Sequence, residues 1–295
     1  MRLRESYRII SSPNYYHGNS ITKLILHNLT GVIGFFRRRG PSRNVLKPLR
    51  LLKNSKKGQR ALVLGSGPSL SKLDLNSPDL VNFDVFAVNS FFQSPAAKKI
   101  TPDFYCLSDP NYFVEDQTNV TFQSDDFYEY LEQNKPKLLI SHFYRRSNRF
   151  RNFSVIYFND KEFRWMRSSI SPLRPRSYVS LTLYKSLAIA IYLGYEEILL
   201  LGMDNNEFAF YESDSANSVF VNFSKYFADG MSSAIVNSQQ KPEGFTSGLA
   251  GRLQFFGQIY GDLKKFSKYP VRNLDESSLV DAFPKLVNHP LIRES

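Results

Sequence analysis

The sequence predicts an α/β fold with a mostly parallel sheet covered on both faces. Three observations carry that expectation. Short apolar runs of strand length recur along the chain, separated by helical or turn-rich stretches. The first run, Ala61–Leu64, leads straight into a glycine-rich turn, Gly65-Ser66-Gly67-Pro68-Ser69. Polar residues gather just beyond the carboxyl ends of the runs, where open parallel sheets collect their ligands.

The elements follow in chain order. Residues 1–20 show no clear period. Residues 21–36 carry Ile21, Leu24, Ile25, Leu29, Val32, Ile33 and Phe36 at helical spacing, too short and too polar a stripe to span a bilayer but suited to an amphipathic helix lying in an interface. Arg37-Arg38-Arg39 and a sparser basic run from Arg43 to Arg60 come next. The alternative is a helix packed on the body with the basic run as a solvated linker.

After strand 61–64, Leu70–Leu80 reads as a short helix or irregular crossover. Asp84–Asn89 is a second strand, Pro95–Ile100 a short helix, and Asp103–Ser108 a third strand ending at Ser108-Asp109-Pro110. Residues 120–134 form an acidic aromatic helix and Lys137–Ile140 a fourth strand. The Arg- and aromatic-rich residues 143–176 take no clear assignment. Residues 180–193 form a long apolar helix, with Gly194 just past its end as a C-cap signature. Glu197–Leu201 is a near-continuous apolar strand followed by Gly202-Met203-Asp204-Asn205-Asn206. Residues 205–248 are polar and read as a lid; residues 249–268 form a helix, and Val271–Leu274 a last strand before Asp275-Glu276-Ser277-Ser278.

Composition bounds the function. The chain has 295 residues, 42% of them apolar, enough for one large domain or two small ones. Its single cysteine, Cys106, excludes a disulfide framework and a cysteine-based zinc site, and suits a reducing compartment. No secretory signal is visible at the N-terminus, so a cytoplasmic location is expected. Of the +11 net charge, residues 1–60 hold 14 Lys/Arg against the single acid Glu5, while the rest holds 24 against 26. The basic character therefore belongs to the N-terminal segment and not to the body that follows. Cations next to an apolar stripe point to peripheral binding on the anionic inner face of the cell membrane through residues 21–60. Nucleic acid is not expected, because no aromatic–basic interleaving appears. This gives a membrane-proximal segment, 1–58, and a nucleotide-binding body, 59–295.

The strand-end residues make one list: Gly65 to Ser69, Asn89, Asp109, Asp204 to Asn206, and Ser277-Ser278. A glycine turn after a buried strand exposes main-chain N–H groups, and glycines let a phosphate approach them closely. Pro68 fits the first turn of a following helix.

Four stretches in order, GSGPSL, FDVFAVNSFF, TPDFYCLSDP and TLYKSLAIAIYLGYEEILLLGMDNN, resemble a family that includes flagellar motility accessory factors and archaeal 6-hydroxymethylpterin pyrophosphokinases. They are also similar to small bacterial sialyltransferases that open on GNGPSL. The likeness covers roughly residues 60–280. It implies a Rossmann-like domain that binds a nucleotide, with a sugar or pterin near the strand ending in Asp204. It places Gly65, Ser66, Gly67, Pro68 and Ser69 on the nucleotide-cradling turn, with Asn89 at the end of the second strand. Ser108, Asp109 and Asn205 join this nucleotide site from neighbouring strand ends, and Thr182 or Ser180 stands at a helix start able to receive a phosphate. Ser66 stands where the sialyltransferases place Asn. Their lid histidine also has no counterpart, for the matching stretches read Asp204-Asn205-Asn206 and Val221-Asn222-Phe223. The catalytic base is then Asp204, Glu207 or Tyr226, tuned by burial. Of the histidines, only His142 follows a plausible strand end, and it reads first as a hydrogen-bonded residue. Arg145, Arg146, Arg164, Arg167 and Arg176 form either a solvated face or a clamp on diphosphate.

The expected function is a glycosyltransferase of surface polysaccharide or glycolipid assembly. It would take a nucleotide-activated sugar, with a CMP-nonulosonate favoured, and a glycan or lipid-linked acceptor. A divalent metal is compatible but not required, and no cofactor is expected. Two alternatives remain: a non-catalytic nucleotide- or glycan-binding assembly factor, and a pterin pyrophosphokinase holding Mg²⁺ with Asp109, Asp204 and Glu207.

Overall fold

The computed structural model describes residues 40–113, 125–162, 170–204, 211–213, 215, 219–221, 234–235, 257 and 259–293. Seven strands form one sheet: β1 (Arg60–Leu64), β2 (Phe83–Val88), β3 (Phe104–Leu107), β4 (Lys137–Ser141), β5 (Val155–Phe158), β6 (Glu197–Leu201) and β10 (Val271–Asn273). Every pairing in it is parallel, and the order is β10-β6-β1-β2-β3-β4-β5. The chain grows outward from β1 to β5, then returns to lay β6 on the other side of β1. That reversal creates a topological switch point between β1 and β6, the place where such sheets open a crevice. Three further short strands, β7 (Tyr211–Ser213), β8 (Val219–Val221) and β9 (Ala234–Ile235), form a separate antiparallel sheet within the polar span 205–248.

The strands are continuously apolar because both sheet faces are buried. Ala61, Val63, Phe86, Val88, Phe104, Cys106, Ile198 and Leu200 share one core. Their alternates, Leu62, Leu64, Val85, Ala87, Tyr105, Leu107, Leu199 and Leu201, share the other. A fully buried Leu or Val side chain contributes roughly 1.5–3 kcal/mol, so these short strands are fixed by packing on two sides.

Helix α1 (Lys47–Leu51), α3 (Thr182–Leu193) and a helix over 259–263, α4, cover the first face. α3 ends at Gly194 (φ +88°), whose N–H bonds the carbonyls of Ala190 and Ile191 at 3.2 and 3.1 Å. The second face is covered by α2 (Asp125–Asn134) and by 3₁₀ turns over Pro68–Lys72, Pro78–Asn82, Asn89–Gln93 and Pro95–Lys98. The crossovers 65–82 and 89–103 thus take 3₁₀ turns, three of them opened by a proline. Phe91, Tyr105, Tyr112, Phe127 and Phe150 fill the space beneath them with aromatic bulk.

The stretch 143–176, left without assignment above, contains β5 at the sheet edge. Leu46 and Leu49 are buried against the body, so residues from the basic N-terminal segment join the core. No helix among the described residues is long and apolar enough to cross a membrane. Residues 21–36 lie outside the described residues.

Candidate nucleotide site

The turns after β1 and β6 are joined through their main chains. Gly65 N–H donates to Leu201 O at 2.8 Å and Gly67 N–H to Gly202 O at 2.9 Å. The fit leaves no room for side chains: a Cβ on Gly202, whose φ is +75°, would stand 2.7 Å from Gly65 O, and one on Gly67 would meet Gly202 O at 2.8 Å and run into the Asp204 carboxylate. These glycines thus serve loop-to-loop contact. Closeness of turn to turn shapes this part of the crevice, where the sequence pointed to closeness of turn to phosphate.

Asp204 completes the joint. Its carboxylate accepts from Ser69 N–H (3.1 and 3.3 Å to its two oxygens) and from Ser69 Oγ (3.0 Å), and Ser69 Oγ in turn accepts from Gly202 N–H at 3.0 Å. Ser69 and Asp204 are both buried. Burial, then the neighbouring Asp275 carboxylate, pushes the Asp204 carboxyl up to about 6 against the pull of the Ser69 hydrogen bonds. Asp275, just past β10, is buried too, yet Lys72 Nζ (2.7 Å) and Ser277 hold its carboxyl below the usual carboxylate range. One oxygen of Asp275, Oδ2, has no hydrogen-bond donor among the described residues.

Further along the carboxyl edge, Asn89 follows β2 with φ +46°, a strained backbone for a residue other than glycine. Tyr105 OH donates to its carbonyl at 2.6 Å and helps hold that conformation. Its Oδ1 is sheltered and lacks a donor among the described residues. Ser108, past β3, shares a 2.8 Å hydroxyl–hydroxyl hydrogen bond with Thr182 in the first turn of α3. The N-cap residue of α3 is Leu181, with no side-chain cap; Tyr184 N–H donates to Leu181 O at 3.1 Å, and the N–H groups of Thr182 and Leu183 find no acceptor among the described residues. Asp109 accepts from Asn111 N–H at 2.9 Å and caps its own turn. Ser66, Pro68, Asn89 and Asp109 are half-buried and Ser180 is exposed, so these keep surface for a ligand, whereas Gly65, Gly67, Ser69, Ser108, Thr182 and Asp204 are buried. Asn205, Glu207 and Tyr226 lie outside the described residues.

Beside this edge sits a charged network that the sequence reading missed. Asp160, just past β5, accepts from Arg176 Nε and Lys185 Nζ, both at 2.8 Å. Arg176 also donates to Glu162 (3.0 Å) and to Tyr178 O, and Lys185 to Ser180 Oγ at 3.0 Å. Burial raises the Asp160 carboxyl, but Lys185 and Arg176 outweigh it and hold it below the ordinary value. Arg176 is therefore a buried, twice-paired cation. Arg164 and Arg167 lie outside the described residues. His142 is buried after β4; its Nδ1 accepts from Asp160 N–H at 3.1 Å, and burial takes its pKa down to about 4, which keeps it neutral at physiological pH. The available signal for the network was Lys185 itself, one charge inside an apolar helix, which only a buried partner can satisfy.

An all-parallel sheet with its switch point lined by two interlocked glycine turns defines a Rossmann-like α/β protein. Residues 42–210 match the model of the 6-hydroxymethylpterin diphosphokinase MptE-like family, and the chain belongs to that family. No curated protein sequence matches it. Among solved structures, the sialyltransferase CstII from Campylobacter jejuni, in complex with the substrate analogue CMP-3FNeuAc, is similar at 18% identity over 80% of this chain and 89% of that one, with a TM-score of 0.40. Sialyltransferase CST-II in complex with a trisaccharide acceptor and CMP gives 17% identity over the same shares, with a TM-score of 0.38. The MAf glycosyltransferase from Magnetospirillum magneticum AMB-1 gives 14% identity over 96% of this chain, with a TM-score of 0.43; this chain spans 46% of its length.

Proposed function

We propose that the protein is a glycosyltransferase of bacterial surface polysaccharide, lipopolysaccharide or glycolipid assembly, using a nucleotide-activated sugar, with a CMP-nonulosonate-type donor favoured. The observation that carries this reading is the switch-point crevice. Two turns are locked together on one side, and beside them stands the strained, half-buried Asn89, whose sheltered Oδ1 has no donor among the described residues. A nucleotide offers the donors that such a group lacks, and its phosphate suits the N–H groups of Thr182 and Leu183 at the start of α3.

In this reading Ser66, Pro68, Asn89, Asp109 and Ser180 contact the nucleotide, while Gly65, Gly67, Ser69, Ser108 and Thr182 shape the wall behind it. The acceptor hydroxyl displaces the nucleotide directly at the anomeric carbon; a base takes its proton, and N–H groups steady the leaving phosphate. Of the three candidate bases, Asp204 has its carboxylate committed to Ser69. That favours Glu207 or Tyr226 for the proton, with Asn205 among the nucleotide-binding residues. The N-terminal segment 21–60 would hold the enzyme on the inner face of the membrane, where lipid-linked acceptors are assembled.

Family membership favours a second reading, a pterin diphosphokinase, which needs Mg²⁺ on carboxylates. The described carboxylates suit that task poorly: Asp204 is bound to Ser69, Asp275 to Lys72 and Ser277, and Asp109 to its own turn. No three such ligands converge among the described residues.

Calorimetry against CMP, UDP and GDP, followed by donor turnover with the nucleotide that binds, tests the proposal. Binding with sugar release is the expected result. Binding without turnover leaves a non-catalytic assembly factor, and ATP-dependent AMP release with a pterin establishes the diphosphokinase.

A further inference from the structure

The stretch leading into β1 exposes five cations, Arg43, Lys47, Arg50, Lys53 and Lys57, and none of them enters a salt bridge among the described residues. Lys56 and Arg60, in the same stretch, are paired with Asp84 (2.7 Å) and Glu197 (2.8 Å). Leu51 stands among the free cations at 73% exposure, while Leu46 and Leu49 are buried. One side of the segment is therefore anchored in the core, and the other shows positive charge around an apolar side chain.

The position of this surface is fixed. α1 lies against β5, the edge strand on the side away from β10. Asn54 N–H and Lys56 N–H then donate to Tyr192 O (3.2 Å) and Leu193 O (3.0 Å) at the carboxyl end of α3. α3 starts beside Ser108 at the carboxyl edge of the sheet, so its far end marks the amino edge. The cations run from the β5 side to the amino edge, whereas the crevice opens at the carboxyl edge between β1 and β6.

We infer that the Arg43–Lys57 surface is where the folded body meets an anionic lipid bilayer, and that it points the crevice away from the lipid. The inference rests on the membrane reading above and adds which face makes contact and how the site is oriented. The five-residue strand β1 alone spans about 16 Å. The acceptor is accordingly an extended glycan whose reacting end stands at least about that far from the headgroups.

The test uses the full chain with vesicles of phosphatidylglycerol and phosphatidylcholine, and with phosphatidylcholine alone. Binding to the anionic vesicles is expected, roughly a hundredfold weaker for the triple variant Lys47→Gln, Arg50→Gln, Lys53→Gln, with nucleotide affinity unchanged. Cys106 is buried, so a fluorophore can be attached at Lys57→Cys or at the exposed Glu276→Cys beyond β10. Brominated lipid should quench the first probe and spare the second. If the triple variant binds as the parent does, or the probe at 276 is quenched as strongly as that at 57, the orientation fails while the membrane reading stands. If the parent chain ignores anionic vesicles, both fall together.

Discussion

Asp204 receives both the main-chain N–H and the hydroxyl of Ser69, residues 135 positions apart in sequence, and so ties the turn after β1 to the turn after β6. Ser69 Oγ is the hinge of that tie, because it donates to Asp204 while accepting from Gly202 N–H. Ser69→Ala removes one partner from each and leaves a buried carboxylate under-bonded, at a cost of about 2–3 kcal/mol. Urea unfolding with an unchanged m-value checks this.

The tie has a pH sign. In the folded chain the Asp204 carboxyl sits at about 6, above its ordinary value of 3.8. The folded state therefore binds the proton more tightly, and stability falls as pH rises from about 4 to 6. Asp275 is held low and acts in the opposite sense, but only below about pH 4. The change from Asp204 is of the order of 1–3 kcal/mol. Asp204→Asn retains an acceptor for Ser69 and adds an N–H for the neighbouring Asp275, so it should flatten the profile between pH 5 and 7.5 and be the more stable protein at the upper end. Paired thermal unfolding curves at the two pH values decide it. Sugar transfer measured on the same variant separates a structural from a catalytic Asp204, since loss of a general base costs a factor of 10² or more.

Asn89→Gly relieves the backbone strain at φ +46°. We expect a gain of about 0.5–1 kcal/mol in stability together with at least tenfold weaker nucleotide binding, read by calorimetry. A gain in stability with unchanged affinity would remove Asn89 from the site.

Lys185→Met leaves Asp160 with Arg176 alone in a buried place. Breaking a buried pair by removing one partner costs about 3–5 kcal/mol. Lys185→Met with Asp160→Asn should recover part of that loss, a coupling that a double-mutant cycle measures directly.

Much of this fold was legible because its strands are apolar on both faces. Ala61–Leu64 and Glu197–Leu201 announce themselves as buried parallel strands, and Gly194 marks the end of α3. β5 was not legible: it has four residues at the sheet edge, with Val155 and Tyr157 only half-covered, inside a segment dominated by arginine. Strand ends also located the site, since Gly65, Asn89, Ser108 and Asp204 follow four different strands of one sheet. Which way each side chain turns was beyond the pattern. Ser69 points at Asp204, and Lys185 at Asp160, 25 residues earlier; such pairings depend on register across a crossover, which local sequence does not encode.

The return of the chain to β1 also sets an order of events during synthesis. β1 pairs with β2 within about two dozen residues, yet its other side waits for β6, with Arg60 and Glu197 separated by 137 positions. Until that strand emerges, the half-sheet β1–β5 carries an open edge along β1, four of whose five residues are apolar and buried in the finished fold, a template for wrong pairing. The crevice therefore cannot form until β6 has joined β1. A nascent chain stopped before residue 197 would hold five paired strands and no binding site.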